Sequence, residues 1–143
     1  MNKEMILLSA GIGGAASFLL GGFDTALQTL MVFMAADYIT GIIVAGVFHK
    51  SGKTASGCLE SRAGFKGICR KGLMLVVISV AYRLDVLMGT GFLRDAVITA
   101  FICNEAISII ENGGLMGIPI PEKLKNALDV LGKEGGKDNE NID

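Results

Sequence analysis

Between Thr25 and Phe48 the chain carries one charged residue, Asp37. A helix of roughly 20 apolar residues crosses a bilayer. A carboxylate near the middle of such a helix costs about 2.5–3.5 kcal/mol on insertion scales and more in simulation. Asp37 is therefore expected to face protein or water rather than lipid. Met5 to Phe23 is a second uncharged run, and Gly72 to Ile110 is a third apolar region broken by only a few charges. The pattern predicts an all-α integral membrane helical bundle. Its four transmembrane helices cover about 5–22, 25–48, 72–88 and 91–110 as two antiparallel hairpins, and a short C-terminal amphipathic helix follows them.

Composition agrees with this frame. Charged residues make up 19% of the chain, below the roughly 25% of ordinary soluble domains. The formal net charge of -1 conceals a segregation. Lys50, Lys53, Arg62, Lys66, Arg70 and Lys71 face only Glu60 between His49 and Lys71, a local excess of about five positive charges. Beyond Glu111 acids outnumber lysines. Short basic loops stay cytoplasmic, so residues 49–71 are expected to be a cytoplasmic loop, with both termini on the same side. Attraction to anionic headgroups is the common use of such a loop. Nucleic acid is not expected as a partner, because only Phe65 interrupts the basic residues and apolar segments flank them.

The first segment is rich in small residues. Ser9/Gly13, Ala10/Gly14 and Gly13/Ser17 have the small-xxx-small spacing that lets helices approach closely in lipid. Gly13 and Ser17 are expected to pack either within one subunit or between subunits. The uncharged run is longer than a signal peptide's apolar core and Glu4 offsets Lys3, so no cleaved signal is expected. Gly21, Gly22, Phe23 and Asp24 form a turn into the second segment. There Asp37, Thr40, Gly41 and Val44 share a helical face with Ala45 beside them. Gly41 and Ala45 suit close packing. The face with Asp37 suits either a hydrogen-bonded brace inside the bundle or a pore or gating surface.

An apex at Gly89–Gly91 brings Arg83 near the level of Asp95 and Asp85 near Arg94. Charges within membranes survive when paired, so these four are expected to form an ionic cluster across the hairpin or between subunits. A re-entrant hairpin is the alternative for the third and fourth segments. In the fourth segment Asn104, Ser108 and Glu111 share one face, and Glu105, Ser108 and Asn112 an adjoining one. Glu105 is a candidate functional acid, although it lies near enough to the end to snorkel. Gly117-Ile118-Pro119-Ile120-Pro121 breaks the helix, and the linker and amphipathic helix take up 113–132. Leu124, Ala127, Leu128 and Leu131 would line one face of that helix. Residues 133–143 are polar and expected to be disordered.

Catalytic chemistry is missing from the pattern: it contains no nucleophile–base pair, phosphate loop or metal-ligand cluster. No enzyme and no cofactor is expected. Cys58, Cys69 and Cys103 are an odd set without CxxC spacing, and His49 is the single histidine, which argues against zinc or a disulfide framework.

Four blocks, in order, resemble the toxin-secretion/phage-lysis holins. They are Asp37-Tyr38-Ile39-Thr40-Gly41 with Ala45; Ser61 to Gly67 with Arg70-Lys71; Leu84-Asp85-Val86-Leu87; and Asn104 to Asn112 followed by Gly117-Ile118-Pro119-Ile120-Pro121. The likeness covers roughly Phe33 to Leu131. It implies a bacteriophage holin in the bacterial host cytoplasmic (inner) membrane, a homo-oligomer contacting membrane lipids. Such proteins open timed lesions that pass endolysin, or a toxin, as cargo without a specific site, and an antiholin is allowed as a further partner. A small oligomeric ion or solute channel, or a non-lytic membrane scaffold, is the competing reading.

Overall fold

The computed structural model describes residues 2–124 together with 126, 127 and 130. Four α-helices follow in order: α1 Lys3–Leu20, α2 Thr25–Ile43, α3 Ser61–Met88 and α4 Leu93–Leu115. No strand occurs among the described residues. A π-helical turn, Val44–Phe48, extends α2.

Local chemistry sets the helix ends. Gly21 takes a left-handed φ of 78° to close α1, and the Gly22 N–H returns to the Ser17 carbonyl at 2.9 Å. An alanine Cβ at Gly21 would lie 2.5 Å from the Tyr82 ring and 2.9 Å from Arg94, so only glycine fits this crossing. Asp24 caps α2 by accepting the Leu27 N–H at 2.9 Å. The π-helical turn contains one more residue per turn than an α-helix would hold. Val44 and Ala45 within it are both buried.

Three helices bury seams with the 3.5-residue spacing of packed bundles. On α2 the seam is Leu27, Leu30, Met34 and Asp37. On α3 it is Met74, Ile78, Ala81 and Asp85, preceded at the same spacing by Gly64, Gly67 and the half-buried Lys71. On α4 it includes Arg94, Ile98, Glu105 and Asn112. Leu27, Leu30, Met34, Met74, Ile78 and Ile98 form the apolar core. The helix α4 packs on both α2 and α3, and α1 touches α3.

This bundle reverses the arrangement of a water-soluble domain. Asp37, Asp85, Arg94 and Glu105 are buried, whereas Leu7, Ile12, Val32, Ile39, Val76, Val80 and Leu87 point outward. An apolar exterior around a charged interior is what a hydrocarbon surround favours.

Two expectations about the segments change. The basic stretch is a loop only to Glu60, because α3 begins at Ser61 and takes in Arg62, Lys66, Arg70 and Lys71. Two of its glycines, Gly64 and Gly67, lie on the α3 face that meets Tyr38, where an added Cβ would stand in ordinary contact at 3.5–3.6 Å. Two helical stretches, α1 and α2 with its π-helical turn, are both long and apolar enough to cross a membrane. The helices α3 and α4 have the length, about 42 and 35 Å at 1.5 Å per residue, but carry more charge. After α4, residues 122–124 are helical; the expected continuation to Leu131 and the tail 133–143 lie largely outside the described residues.

Candidate functional site

The α2, α3 and α4 seams bring Asp37, Lys71 and Glu105 to one level. The Lys71 ammonium donates to Asp37 Oδ2 at 2.8 Å and also to Glu105 Oε2. The second Asp37 oxygen accepts the Ser108 hydroxyl and the Asn112 amide at 3.3 Å. Asn112 donates to Thr40 Oγ1 at 2.9 Å, and the Thr40 hydroxyl donates to the Ala36 carbonyl at 2.9 Å. Gly41 lies beside Asn112, where an added Cβ would stand in ordinary contact, 3.9 Å from its amide nitrogen.

Every buried side-chain nitrogen and oxygen among the described residues has a partner. This condition makes a polar cluster tolerable in an apolar surround. The Asp37, Lys71 and Glu105 side chains are 9%, 15% and 4% exposed. One ammonium thus serves two carboxylates, and the triad carries a formal charge of about -1.

A second polar level closes the other end of the core. Arg94 donates to Asp24 at 2.7 Å and Asp95 at 2.9 Å, and to the carbonyls of Leu20 and Gly22. One guanidinium therefore gathers the end of α1, the α1–α2 turn and α4. The Arg94 guanidinium holds the Asp24 carboxyl below its ordinary value; burial opposes this shift and the Leu27 N–H supports it. Asp85 accepts the backbone N–H groups of Leu93 at 3.2 Å and Arg94 at 2.8 Å, together with the Thr90 hydroxyl. It caps α4 from the preceding helix.

The structure brings together Asp37, Thr40, Gly41, Glu105 and Ser108, the five residues singled out from the sequence for this face. Two other expectations need correction. Arg83 is not in the ionic cluster: it stacks 4.2 Å over the Phe18 ring and donates to the Phe18 carbonyl. Asp85 binds N–H groups and a hydroxyl rather than a cation. Gly13, expected to pack within one subunit or between subunits, has nothing of its own chain within 4 Å of an added Cβ, which leaves the contact between subunits as the open alternative, whereas Ala45 is buried. Ser17 is half-buried.

Sequence reasoning missed three participants. Lys71 reads as part of the basic loop from its neighbours alone, although its position on the Gly64–Asp85 seam marks it as inward. Asn112 falls on the correct face by helical spacing, but spacing supplies no partner for it. Asp24 precedes a helix after a glycine turn, a common capping signal, but nothing local pointed to Arg94.

Beside the triad is a cavity of about 540 Å³, bounded by the end of α2, the 49–60 loop, the start of α3 and the later part of α4. Lys53, Lys66, Arg70, Glu60 and Glu111 line it, and Asp37, Lys71 and Glu105 lie at its inner wall.

The profile of the bacteriophage holin family matches residues 14–133. The chain belongs to the bacteriophage holin family. An uncharacterized 14.9 kDa protein of Clostridium perfringens is 43% identical over 122 residues, covering 84% of this chain and 86% of its own length. An uncharacterized protein of Listeria monocytogenes is 37% identical over 134 residues, 93% of this chain and 90% of its own. A protein of Bacillus phage phi105 named a probable holin is 32% identical over 118 residues, 82% of each chain. No solved structure matches. The family match contains the whole triad, its Ser108 and Asn112 partners, and the Arg94 cluster. For a holin-family membrane protein, the inward-facing charges are the chemically distinctive feature.

Proposed function

We propose that this chain is a working holin. In this reading it accumulates in the host cytoplasmic membrane and self-associates, then switches to lesions that depolarise the membrane and release endolysin, or export a toxin, to the wall. All four helices cross, and both termini and the 49–60 loop lie in the cytoplasm. The Gly13 face of α1, unpacked within the chain, supports a contact between subunits.

The observation that carries the reading is the triad inside an apolar-coated bundle of this family. Sheltered by three helices, it holds the waiting state closed. Opening the α2–α4 seam would expose it to water in a lesion, but lipid would penalise the same exposure by several kcal/mol. Its formal negative charge couples it to the membrane potential, at about 2.3 kcal/mol per charge for a full 100 mV crossing. The acids alone would suit an ordinary channel as well, and family membership favours lysis.

Induction in a bacterial host, with membrane potential and culture density followed together, separates the readings. A delayed, abrupt collapse of both is expected. Leakage from the first minutes of expression would point to a constitutive channel, and no effect on either quantity to a scaffold.

A further inference from the structure

The cavity beside the triad contains cations that the triad does not use. Lys71 is committed to Asp37 and Glu105, and Glu60 accepts the Ser56 hydroxyl at 3.0 Å. Lys53, Lys66 and Arg70 form no ion pair within 4 Å among the described residues, yet all three line the same half-open space. With Glu60, Glu111 and the triad's own charge counted against them, the lining is formally neutral overall, and its positive charge outside the triad sits on three exposed side chains, Lys53, Lys66 and Arg70.

The surroundings of these three cations are apolar. Val47, Phe48, Leu59, Phe65 and Ile68 are exposed on the segments that frame it. A soluble anion would gain little from such a rim. A molecule with a phosphate at one end and acyl chains at the other matches both parts. Basic pockets between membrane helices on the cytoplasmic side commonly hold anionic headgroups. The volume of about 540 Å³ falls within the usual range for a small-molecule site, roughly 300–1,000 Å³.

We infer that this cavity is a binding site for the phosphate of an anionic phospholipid headgroup, held by Lys53, Lys66 and Arg70 at the cytoplasmic end of the α2–α3–α4 bundle. The bound lipid bridges the 49–60 loop to α3 and stands next to the buried triad. The inference rests on the membrane reading alone. A chain that binds the lipid but never collapses the membrane potential would refute the lytic function and leave this site intact.

The test uses the full chain purified in detergent, with bound lipid counted by native mass spectrometry against phosphatidylglycerol and phosphatidylcholine. Preferential retention of phosphatidylglycerol is expected. Each basic residue near an anionic headgroup is worth roughly fivefold in affinity, so K66A/R70A should weaken retention roughly 25-fold. K50A/R62A removes equal charge outside the cavity and should stay within about twofold. Equal losses in the two pairs, or no preference between the lipids, would overturn the site in favour of diffuse surface attraction. Displacement by millimolar inorganic phosphate would overturn the lipid assignment, whereas resistance to it supports an amphiphile. If K66A/R70A loses helicity by circular dichroism, K53A and the charge-preserving K66R/R70K decide: the first must lose roughly fivefold and the second must retain the lipid.

Discussion

Lys71 on α3 lies 2.8 Å from Asp37 on α2 and also donates to Glu105 on α4. Each acid is 34 positions from the lysine along the chain. No local sequence pattern encodes that meeting; it follows from three inward seams stopping at the same level. The consequence is an asymmetric interior. One ammonium compensates two acids, and hydroxyl and amide donors from Ser108 and Asn112 complete the solvation of Asp37.

Removing the lysine should therefore do more harm than removing one acid. Lys71→Met leaves two buried carboxylates without a counter-charge, a situation that typically costs about 3–5 kcal/mol. Asp37→Asn keeps a polar group beside Ser108 and Asn112 and leaves a one-to-one pair with Glu105. The expected order of thermal stability in detergent is wild type, then Asp37→Asn, then Lys71→Met. Adding Asp37→Asn to Lys71→Met should recover part of the loss, with a coupling of about 0.5–3 kcal/mol. Strictly additive effects would mean that the two residues do not interact in the solubilised protein.

The same pair bears on timing. If the triad holds the waiting state, Asp37→Asn weakens the hold and should advance the collapse of the membrane potential at equal expression. The measurement is the interval from induction to collapse, with protein quantified by immunoblot. An unchanged interval would remove Asp37 from the switch and leave it a structural brace.

Much of the architecture could be inferred from the chain because membrane helices announce themselves by what they lack. The two uncharged runs delimit α1 and α2 closely, and the Asp37–Thr40–Gly41 face followed directly from helical spacing. The start of α3 was hidden because Arg62, Lys66, Arg70 and four nearby glycines resemble a solvated loop. The seam that makes residues 61–71 helical becomes visible only when Met74 and Ile78 are used to set its phase. Pairing was harder still. Arg83 and Asp85 looked like cluster members from their depth. However, Arg83 stacks on Phe18, and Asp85 is taken by the start of α4. The partner that completes Arg94 is Asp24, from an element 70 residues away.

Gly21 offers a test of how the end of α1 packs on α3. Its φ of 78° and the 2.5 Å approach to Tyr82 both reject a side chain. Gly21→Ala combines left-handed strain with overpacking and should cost about 2–4 kcal/mol. Gly22→Ala, at φ 112° but with nothing within 4 Å, carries the strain without the clash and should cost less. Melting of the two variants in one detergent gives the comparison, and equal losses would show that the Tyr82 contact is not formed.

The Arg94–Asp24 pair predicts a mild acid sensitivity. The folded state lowers the Asp24 pKa below the ordinary 3.8, so the pair's stabilisation is fully present above that value. It is lost as pH falls through the lower, folded value. Asp24 is 48% exposed, and solvent screening limits the effect to less than about 1 kcal/mol. Wild type should lose its advantage over Asp24→Asn as pH is taken from 6 to below about 3. A difference between the two proteins that does not change over this range would mean that the ion pair contributes nothing.

The exposed face of α1 separates folding from assembly. Gly13 and Gly14 have nothing within 4 Å of an added Cβ, so a larger side chain there meets no part of its own chain. Gly13→Leu should not lower the helicity or melting temperature of the single chain, since replacing a glycine inside a helix gains up to about 1 kcal/mol of helix propensity. If the small residues of α1 form a contact between copies, the same substitution blocks close backbone approach and should weaken association by on the order of 1 kcal/mol or more. Cross-linking in membranes, at matched expression, reads that difference. A normal ladder of cross-linked species from Gly13→Leu would place the assembly surface elsewhere, on the apolar exteriors of α3 or α4, and leave the small residues of α1 without a packing role.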